Sequence, residues 1–196
     1  NRSWVLLAKI DGKLAGVMGY SLKGSEMLHF TMQITRFYYT TSAAKYLMLN
    51  WIARHVDQAD KIEMWLPAYE QPNTWLADIR PKMEPIFVDP MGRVLDVARL
   101  NGMACGPGAF SAQIVDPDCP WNNGTWNFAA DSGTLKITPN QNAGCTLTIQ
   151  GLSALIYGTN TPSDFALRGW GNPSPELRTS LRKMFPPQLP YLHEYY

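Results

Sequence analysis

The last six residues combine groups that could do chemistry with side chains that could hold them in place. The segment Tyr191-Leu192-His193-Glu194-Tyr195-Tyr196 follows a proline-rich stretch, and three of its six side chains are tyrosines. A free terminal segment seldom carries so much apolar surface. We therefore expect the segment to dock, which would hold the terminal carboxylate of Tyr196 at a fixed position and make it a candidate general base. In the alternative interpretation, the tail is only a latch that packs on its own domain.

Docking would also adjust the basicity of that carboxylate. An α-carboxyl group has a pKa of about 3.5 in water, which makes it a weak base near pH 7. Burial among Tyr191, Tyr195 and an apolar partner would raise the pKa of the Tyr196 carboxyl, because desolvation disfavours the charged form. This gives a physical reason for a chain to end in aromatic side chains.

The remaining reactive residue types form no recognisable constellation. The three histidines, His29, His55 and His193, fall in different predicted elements, and the sequence has no His-x-x-x-His or Cys-x-x-Cys spacing. Three cysteines at positions 105, 119 and 145 are an odd number with no metal-binding or redox spacing. The sequence therefore predicts no metal site and reduced thiols, as in a cytoplasmic protein.

The composition argues against several classes of function. The 196 residues are 45% hydrophobic and 17% charged, and the formal net charge is +1. Such a balance creates no field that would attract nucleic acid or an anionic membrane. No apolar run approaches the roughly 18 residues that a membrane-spanning helix needs. We therefore expect a globular, cytoplasmic protein without nucleic-acid or membrane partners.

Residues 1–90 predict a first domain with the element order β-β-β-α-β-α. The turn sequence Asp11-Gly12 joins the first two strands, and Thr40, Thr41 and Ser42 offer N-caps for the first helix. Prolines at positions 81, 85 and 90 place the domain boundary near residue 90. The predicted elements are strands 4–10, 14–22 and 27–39, a helix over 44–56, a strand over 61–66 and a helix over 70–80.

Residues 91–196 predict a second domain, an antiparallel sheet covered by helices, so the whole chain is assigned to the α+β class. After residue 108, apolar and polar residues alternate and turn sequences separate four short strands, which is typical of an antiparallel meander with one wet face. The predicted strands lie around residues 110–114, 126–128, 135–137 and 147–149, and the predicted helices cover 152–157, 163–167 and 176–185.

The element order of the first domain is that of the acyl-CoA-binding core of the GNAT acetyltransferases, which the domain resembles. In those enzymes a glycine-rich turn after the long strand holds the pyrophosphate at a helix N-terminus. The corresponding stretch here, residues 35–42, contains no glycine, and Tyr38 and Tyr39 would crowd the path of a pyrophosphate. The first domain is therefore interpreted as a degenerate GNAT-like domain that does not bind coenzyme A.

Three segments in the second half extend the resemblance. They are Arg93-Val94-Leu95-Asp96-Val97, Gly151-Leu152-Ser153-Ala154-Leu155-Ile156-Tyr157-Gly158 and Pro190-Tyr191-Leu192-His193-Glu194-Tyr195-Tyr196. In this order, after a GNAT-like domain, they resemble the C-terminal half of the Eis-like (enhanced intracellular survival) acetyltransferases. The resemblance covers nearly all of the chain, and it implies that the second domain has a sterol carrier protein-like fold.

The resemblance implies a function that this chain does not complete alone. A catalytic GNAT domain would precede Asn1, bind acetyl-CoA and acetylate an amine, and the C-terminal carboxylate would reach into its active site as the general base. Carried over by position, that base is Tyr196, with Glu194 and Tyr195 near the amine substrate. No cofactor is expected within the chain itself. The resemblance further implies an oligomer, and the chain alone is expected to be inactive.

Two other functions stay open. The second domain could bind a lipid or another small molecule in a cavity lined by apolar residues, or it could be a non-catalytic assembly domain. The candidate lining residues are Leu152, Leu155, Ile156, Phe165 and Leu167, with Trp121, Trp126 and Trp170 as candidate ligand-binding aromatics. Ordinary core packing is the alternative for all of them. A buried elongated cavity would favour lipid binding, whereas a solid core with a projecting tail would favour a scaffold.

Overall fold

The structure, a computed structural model, describes residues 2–24, 29–78, 80–84 and 91–192. The chain divides into two units, Asn1–Pro81 and Lys82–Tyr196. The predicted boundary near residue 90 lies outside the described residues.

The first unit contains a four-stranded sheet in the order β1-β2-β3-β4. The first three strands are antiparallel neighbours, and β3 and β4 pair in parallel, so the sheet is mixed. Its elements are β1 (Ser3–Ile10), β2 (Lys13–Lys23), β3 (Phe30–Tyr39), α1 (Ser42–Ala53) and β4 (Ala59–Met64).

Local sequence accounts for the turns and caps of this unit. Asp11 and Gly12 both have positive φ angles, 50° and 77°, as a type I′ hairpin turn requires. The Thr41 side chain accepts a hydrogen bond from the Ala44 N–H and caps α1. The helix ends at Ala53, so Val56 lies beyond it and is 83% exposed.

The predicted helix over 70–80 is wrong. The described residues of that range contain only a short 3₁₀ turn, Pro72–Thr74. The residues whose spacing favours a buried helix face are Trp75, Leu76 and Ile79, of which Ile79 lies outside the described residues. Of the other two, Trp75 is buried against Phe37, whereas Leu76 is 41% exposed. One buried side chain can hold a loop in place, but an amphipathic helix needs a stripe of several buried side chains.

The second unit contains a four-stranded sheet in the order β7-β6-β5-β8. The first three strands are antiparallel neighbours, but β8 pairs in parallel with β5, so the prediction of a purely antiparallel meander is wrong. The chain crosses to the far side of β5, where the Gly144 N–H donates to the Ser111 backbone oxygen. The strands are β5 (Ala109–Val115), β6 (Gly124–Asp131), β7 (Thr134–Pro139) and β8 (Cys145–Thr148).

Two helices accompany this sheet, α2 (Ile149–Ile156) and α3 (Pro175–Met184). Helix α2 begins directly after β8, with Thr148 as its N-cap, which is why Ile149 belongs to a helix and not to the predicted fourth strand. The predicted helix over 163–167 is reduced to a 3₁₀ turn, Pro162–Asp164. Leu152, Leu155, Phe165 and Leu181 are at most 1% exposed and belong to the core of this unit.

Both units combine a mixed sheet with few helices, so the α+β class is confirmed. Within the described ranges, no helix has the length and apolar character needed to cross a bilayer.

Candidate functional site

The predicted site residues Glu194, Tyr195 and Tyr196, like His193, lie outside the described residues, so their roles stay predictions. The structure describes the tail as far as Leu192. Tyr191 and Leu192 are 37% and 41% exposed, so both side chains are partly covered.

The tail starts from a fixed point at the C-terminal end of α2. The Gln188 N–H donates to the Gly158 backbone oxygen at 3.0 Å. Gly158 has a φ of 66°, and a Cβ atom there would lie 2.7 Å from both Gln188 N and the Pro186 oxygen. Only glycine combines this conformation with such a close approach. Gly158 therefore anchors the segment from which the tail departs.

Helix α2 also holds the segment 93–97. The Val94 N–H donates to Ser153 Oγ at 3.0 Å, and that hydroxyl donates to the Ile149 oxygen at 2.7 Å. Gly92 lies so close to the Tyr157 ring that a Cβ atom there would be 2.6 Å from a ring carbon. Two of the segments that carry the resemblance, 93–97 and 151–158, are thus in direct contact, and the second also anchors the tail.

A buried carboxylate fastens segment 93–97 from its other side. Asp116 is fully buried, and its Oδ1 accepts from Arg93 Nη2 at 2.5 Å and from the backbone N–H groups of Asp118 and Cys119 at 3.1 Å. Its Oδ2 accepts from Asn122 Nδ2 at 2.9 Å. Both carboxylate oxygens are therefore engaged, as a buried charge requires.

The partners of Asp116 extend this network along segment 93–97. Arg93 also donates to Asp118 at 2.8 Å, and Asn122 Oδ1 accepts from the Val97 N–H at 2.8 Å. The Leu95 oxygen accepts from Asn122 Nδ2 and from Trp121 Nε1. The segment is thus held by side chains from the β5–β6 connection, a structural role that explains its distinctive sequence.

Burial acts to raise the pKa of Asp116. The hydrogen bonds from Asn122 and from the N–H groups of Cys119 and Asp118, together with the charge of Arg93, nevertheless hold that pKa below its ordinary value. A carboxylate that stays ionised with both oxygens occupied is suited to positioning and not to proton transfer.

In the first unit, β3 extends beyond its parallel neighbour β4 at the end that leads into α1. The pairing of β3 with β4 ends at Ile34 and Met64. Directly after Ile34, β3 bulges at Thr35, because Gly19 faces Arg36 while its neighbour in β2 faces Ile34. This end precedes the helix N-terminus to which the resemblance assigns the pyrophosphate of catalytic GNAT domains.

Charged and aromatic side chains gather at this end. Glu70 accepts a hydrogen bond from the Tyr39 hydroxyl, and Lys45 Nζ lies 3.4 Å from Glu70 Oε2. The Lys45 ammonium also lies 4.0 Å from the centre of the Trp75 ring, which stacks on Phe37. The Lys45 and Glu70 side chains are only 12% and 13% exposed. We call Tyr39, Lys45, Glu70 and Trp75 the Glu70 cluster.

Tyr39 is held in its neutral form within this cluster. Burial, followed by the hydrogen bond to Glu70 and the negative charge of Glu70, raises the pKa of Tyr39 well above its ordinary value. Tyr39 therefore remains a hydrogen-bond donor across the physiological pH range. Within the cluster, the charges of Lys45 and Glu70 are paired with each other, so neither group is available for catalysis.

The histidines and cysteines that were candidates for a reactive site do not lie together in one site. His29 pairs with Asp60 at the surface, and His55 Nδ1 lies 3.1 Å from the Trp51 oxygen. Burial raises the pKa of the Cys145 thiol to about 11, which leaves it protonated and unreactive. In the part of the chain that the structure describes, no three His, Cys, Asp or Glu residues group as a metal site would need.

The aromatic and apolar residues that were candidates to line a ligand cavity do not line a common cavity either. Trp126 and Trp170 pack against the core of the second unit, whereas Trp121 is 63% exposed. Leu167 is 92% exposed, so its assignment to a cavity wall is wrong. The three tryptophans therefore do not share one environment.

Sequence reasoning missed Asp116, Lys45 and Glu70. Asp116 lies in the sequence Asp116-Pro117-Asp118, whose turn chemistry is real, since Asp116 Oδ1 accepts from the Asp118 N–H. Its burial depends on Arg93, which is 23 positions away. No local sequence pattern predicts a pair of residues that lie so far apart in the chain.

Comparisons with known proteins agree with this architecture. The family model of the sterol carrier protein domain matches residues 101–193. Among curated proteins, none matches the chain. The sterol carrier match covers the sheet and helices of the second unit and the described part of the tail.

Solved structures match both units together. A GCN5-related N-acetyltransferase from Anabaena variabilis ATCC 29413 matches 100% of this chain with a TM-score of 0.80 at 16% identity, over 51% of its own length. A GCN5-related N-acetyltransferase from Kribbella flavida matches 92% of this chain with a TM-score of 0.69 at 20% identity, over 46% of its length. Eis1 from Mycobacterium abscessus matches 92% with a TM-score of 0.66 at 16% identity, over 48% of its length.

At these identities, the matches show the fold. The chain spans about half the length of the solved structures that it matches. It therefore shares, over that half, the fold of GNAT and Eis-like acetyltransferases, and its residues 101–193 match the sterol carrier protein domain.

Proposed function

We propose that this chain is the scaffold portion of an acetyl-CoA-dependent N-acetyltransferase that acts on an amine. In this proposal, a GNAT catalytic domain elsewhere in the same protein binds acetyl-CoA. The present chain would supply the Tyr196 carboxylate, which accepts a proton from the amine as its nitrogen attacks the acetyl carbonyl. The thioester C–S bond then breaks, and coenzyme A leaves as a thiol that is protonated by an acid of the catalytic domain. Glu194 and Tyr195 lie beside the amine, and the chain alone does not turn over.

The anchored start of the tail carries this proposal. A terminal carboxylate can act as a base only if its position is reproducible, because proton transfer requires hydrogen-bond distance. The Gln188 N–H bond to Gly158, at a glycine that tolerates no side chain, fixes the tail eight residues before its end. The Asp116 network holds segment 93–97, and that segment is bonded to the same helix through the Val94 N–H and Ser153 Oγ.

The Glu70 cluster supports the proposal that the first unit does not itself bind acetyl-CoA. A pyrophosphate approaching the N-terminus of α1 would meet the Glu70 carboxylate, which carries the same sign of charge. Glu70 is already held by Tyr39 and Lys45, and Trp75 packs beside them. Residues 35–42 contain no glycine, which also supports the proposal that the first unit does not bind acetyl-CoA.

Lipid binding has less support. The cavity between the end of α2 and Phe185 has a volume of about 110 Å³, below the roughly 300–1,000 Å³ of typical small-molecule sites. Leu152, Leu155 and Phe165, which were candidates to line a tunnel, are core residues with at most 1% exposure. Their packing favours the scaffold interpretation.

Acetyl-CoA titration and acetyl transfer test the proposal together. Titrating the 196-residue chain with acetyl-CoA up to about 1 mM, the upper end of typical substrate affinities, should give only heat of dilution. The protein encoded by the whole gene should bind acetyl-CoA and acetylate amines. Binding or turnover by the 196-residue chain alone would contradict the proposal, as would a whole protein without acetyltransferase activity.

A further inference from the structure

A cavity lies beside the C-terminal end of α1 in the first unit. The 12 residues of α1 span about 18 Å, whereas the 11 residues of β2 extend over about 35 Å. The helix therefore covers only part of the sheet face on which it packs. The cavity has a volume of about 310 Å³, and its walls include Tyr20, Leu22, Phe30, Met32, His55 and Gln58. We call it the helix-end cavity.

The lining of the helix-end cavity is largely apolar and carries no formal charge. Phe30 and Met32 are buried members of the core of the first unit, and Leu22 packs against that core. Among the described residues, no lysine, arginine, aspartate or glutamate lines the cavity. A charged ligand would therefore lose its water without gaining a partner of opposite charge. The lining favours an uncharged ligand.

Contacts between aromatic rings hold two of the lining side chains in place. The centre of the Trp51 ring lies 5.0 Å from that of Tyr20 and 4.4 Å from that of His55. Trp4 also stacks on Tyr20, with ring centres 5.6 Å apart. Side chains that are already held by their neighbours lose little freedom when a ligand binds. The walls at Tyr20 and His55 are therefore preformed, and they suit a planar aromatic ligand.

His55 supplies a hydrogen-bond acceptor to this lining. Its Nδ1 lies 3.1 Å from the backbone oxygen of Trp51. Because a carbonyl oxygen can only accept, Nδ1 carries the hydrogen of the neutral ring and donates it. His55 Nε2 then has a free lone pair, and no described residue donates a hydrogen bond to it. An acceptor in an apolar lining selects a ligand with an N–H or O–H group.

We propose that the helix-end cavity binds a small, uncharged aromatic molecule that donates one hydrogen bond to His55 Nε2. The volume of about 310 Å³ is at the lower end of the roughly 300–1,000 Å³ of typical ligand sites, which suits a single or fused ring and excludes a long lipid. This inference goes beyond the proposed function. The cavity includes Phe30, at the start of β3, whereas the Glu70 cluster includes Tyr39, at the end of the same strand.

Titration with indole, followed at the methionine methyl groups, tests this site. Indole is an uncharged fused ring with one N–H donor, and benzothiophene is a control of similar shape that has no donor. The protein encoded by the whole gene is labelled with ¹³C at its methionine methyl groups, and Met32→Leu assigns the Met32 signal. Met32 is fully buried and lines the cavity, so its methyl group reports a ligand inside it.

We expect indole to shift the Met32 methyl signal with a dissociation constant of about 1 mM or lower. Because only indole donates to His55 Nε2, it should bind at least about threefold more tightly than benzothiophene. A Met32 signal that does not respond to indole would overturn the proposal, as would shifts confined to methionines outside the cavity. Equal affinities for the two compounds would also overturn it, since the acceptor would then select nothing.

Replacing the acceptor tests its role directly. His55→Phe keeps a ring against Trp51 but removes both nitrogens, so we expect it to abolish the preference for indole over benzothiophene. Tyr46→Phe, which removes a polar atom from an aromatic side chain at a 47% exposed position on the same helix, is the control and should retain the preference. A preference that survives in a folded His55→Phe variant would contradict the assigned acceptor. If that variant does not fold, the comparison of the two compounds in the native protein still decides.

Discussion

Asp116 and Glu70 are two largely buried carboxylates, one in each unit, and each holds several neighbouring groups in place. Asp116 gathers Arg93, Asn122 and two backbone N–H groups, and Glu70 gathers Tyr39 and Lys45. A buried ionised group is tolerated only when its partners replace the water that it lost. Each carboxylate therefore commits its surroundings to one arrangement, and removing either one leaves its partners uncompensated.

Replacing Asp116 tests the first of these arrangements. Because Asp116→Ala strands Arg93 and three N–H donors, we expect the free energy of unfolding to fall by about 3 kcal/mol or more. Asp118→Ala is the matched control, since Asp118 also pairs with Arg93 but its side chain is 68% exposed, and it should cost about 1 kcal/mol or less. Urea denaturation measures both. Similar losses for the two variants would contradict the assigned role of Asp116.

The raised pKa of Tyr39 predicts a loss of stability at alkaline pH. Because the pKa is higher in the folded state, the Tyr39 contribution is present below the unfolded-state value of about 10. It disappears as the pH rises toward the folded-state value. Tyr39→Phe should therefore cost about 1 kcal/mol at pH 8, and the difference from the native chain should shrink above pH 10.

Urea denaturation from pH 8 to pH 11 measures this effect, with Tyr46→Phe, at a 47% exposed position, as the control for loss of a tyrosine. A Tyr39→Phe difference that stays constant or grows with pH would show that the hydroxyl does not depend on Glu70 in the way described.

At the scale of elements, single backbone positions decide where side chains are presented. The bulge at Thr35 directly follows the last β3–β4 pair, Ile34 with Met64, and shifts the register of the part of β3 that ends at Tyr39 in the Glu70 cluster. At the end of α2, Gly158 turns the chain with a positive φ and accepts the Gln188 N–H. Neither feature involves a reactive group, yet each determines where reactive groups can lie.

Gly158→Ala tests the anchor of the tail. The added Cβ would collide with Gln188 and Pro186, whereas Gly169→Ala is a matched control with a similar φ of 68° and no atom within 4 Å. Both variants share the conformational penalty of alanine at positive φ, about 1 kcal/mol. We expect only Gly158→Ala to speed hydrogen exchange of the Gln188 amide, by about tenfold or more. Equal exchange in the two variants would contradict an anchor at this position.

At the scale of the whole molecule, each unit has its own core and its own sheet. The first unit keeps the strand–helix–strand plan of a GNAT core, and the Glu70 cluster joins Tyr39, at the end of β3, to Lys45 in α1. The second unit supports the start of an aromatic tail.

Much of this architecture could be predicted from local patterns. The Asp11-Gly12 turn, the Thr41 cap and the alternation along β5 and β6 each follow from short-range chemistry, and each was expected from the sequence. The parallel pairing of β8 could not be predicted, because a short alternating strand looks the same in either direction. The Arg93–Asp116 and Lys45–Glu70 pairs join positions 23 and 25 residues apart, and only the fold brings them together.

The chemical identity of the Tyr196 terminus tests the central claim most directly. In the protein encoded by the whole gene, amidating Tyr196 or adding one glycine after it removes or displaces the carboxylate, while Tyr196→Phe keeps the carboxylate and removes only the hydroxyl. We predict that the first two changes lower kcat/KM for amine acetylation by about 10²–10⁴ without altering the unfolding transition, and that Tyr196→Phe stays near the native rate. Native kinetics in the amidated protein, or equal damage from Tyr196→Phe, would contradict the account.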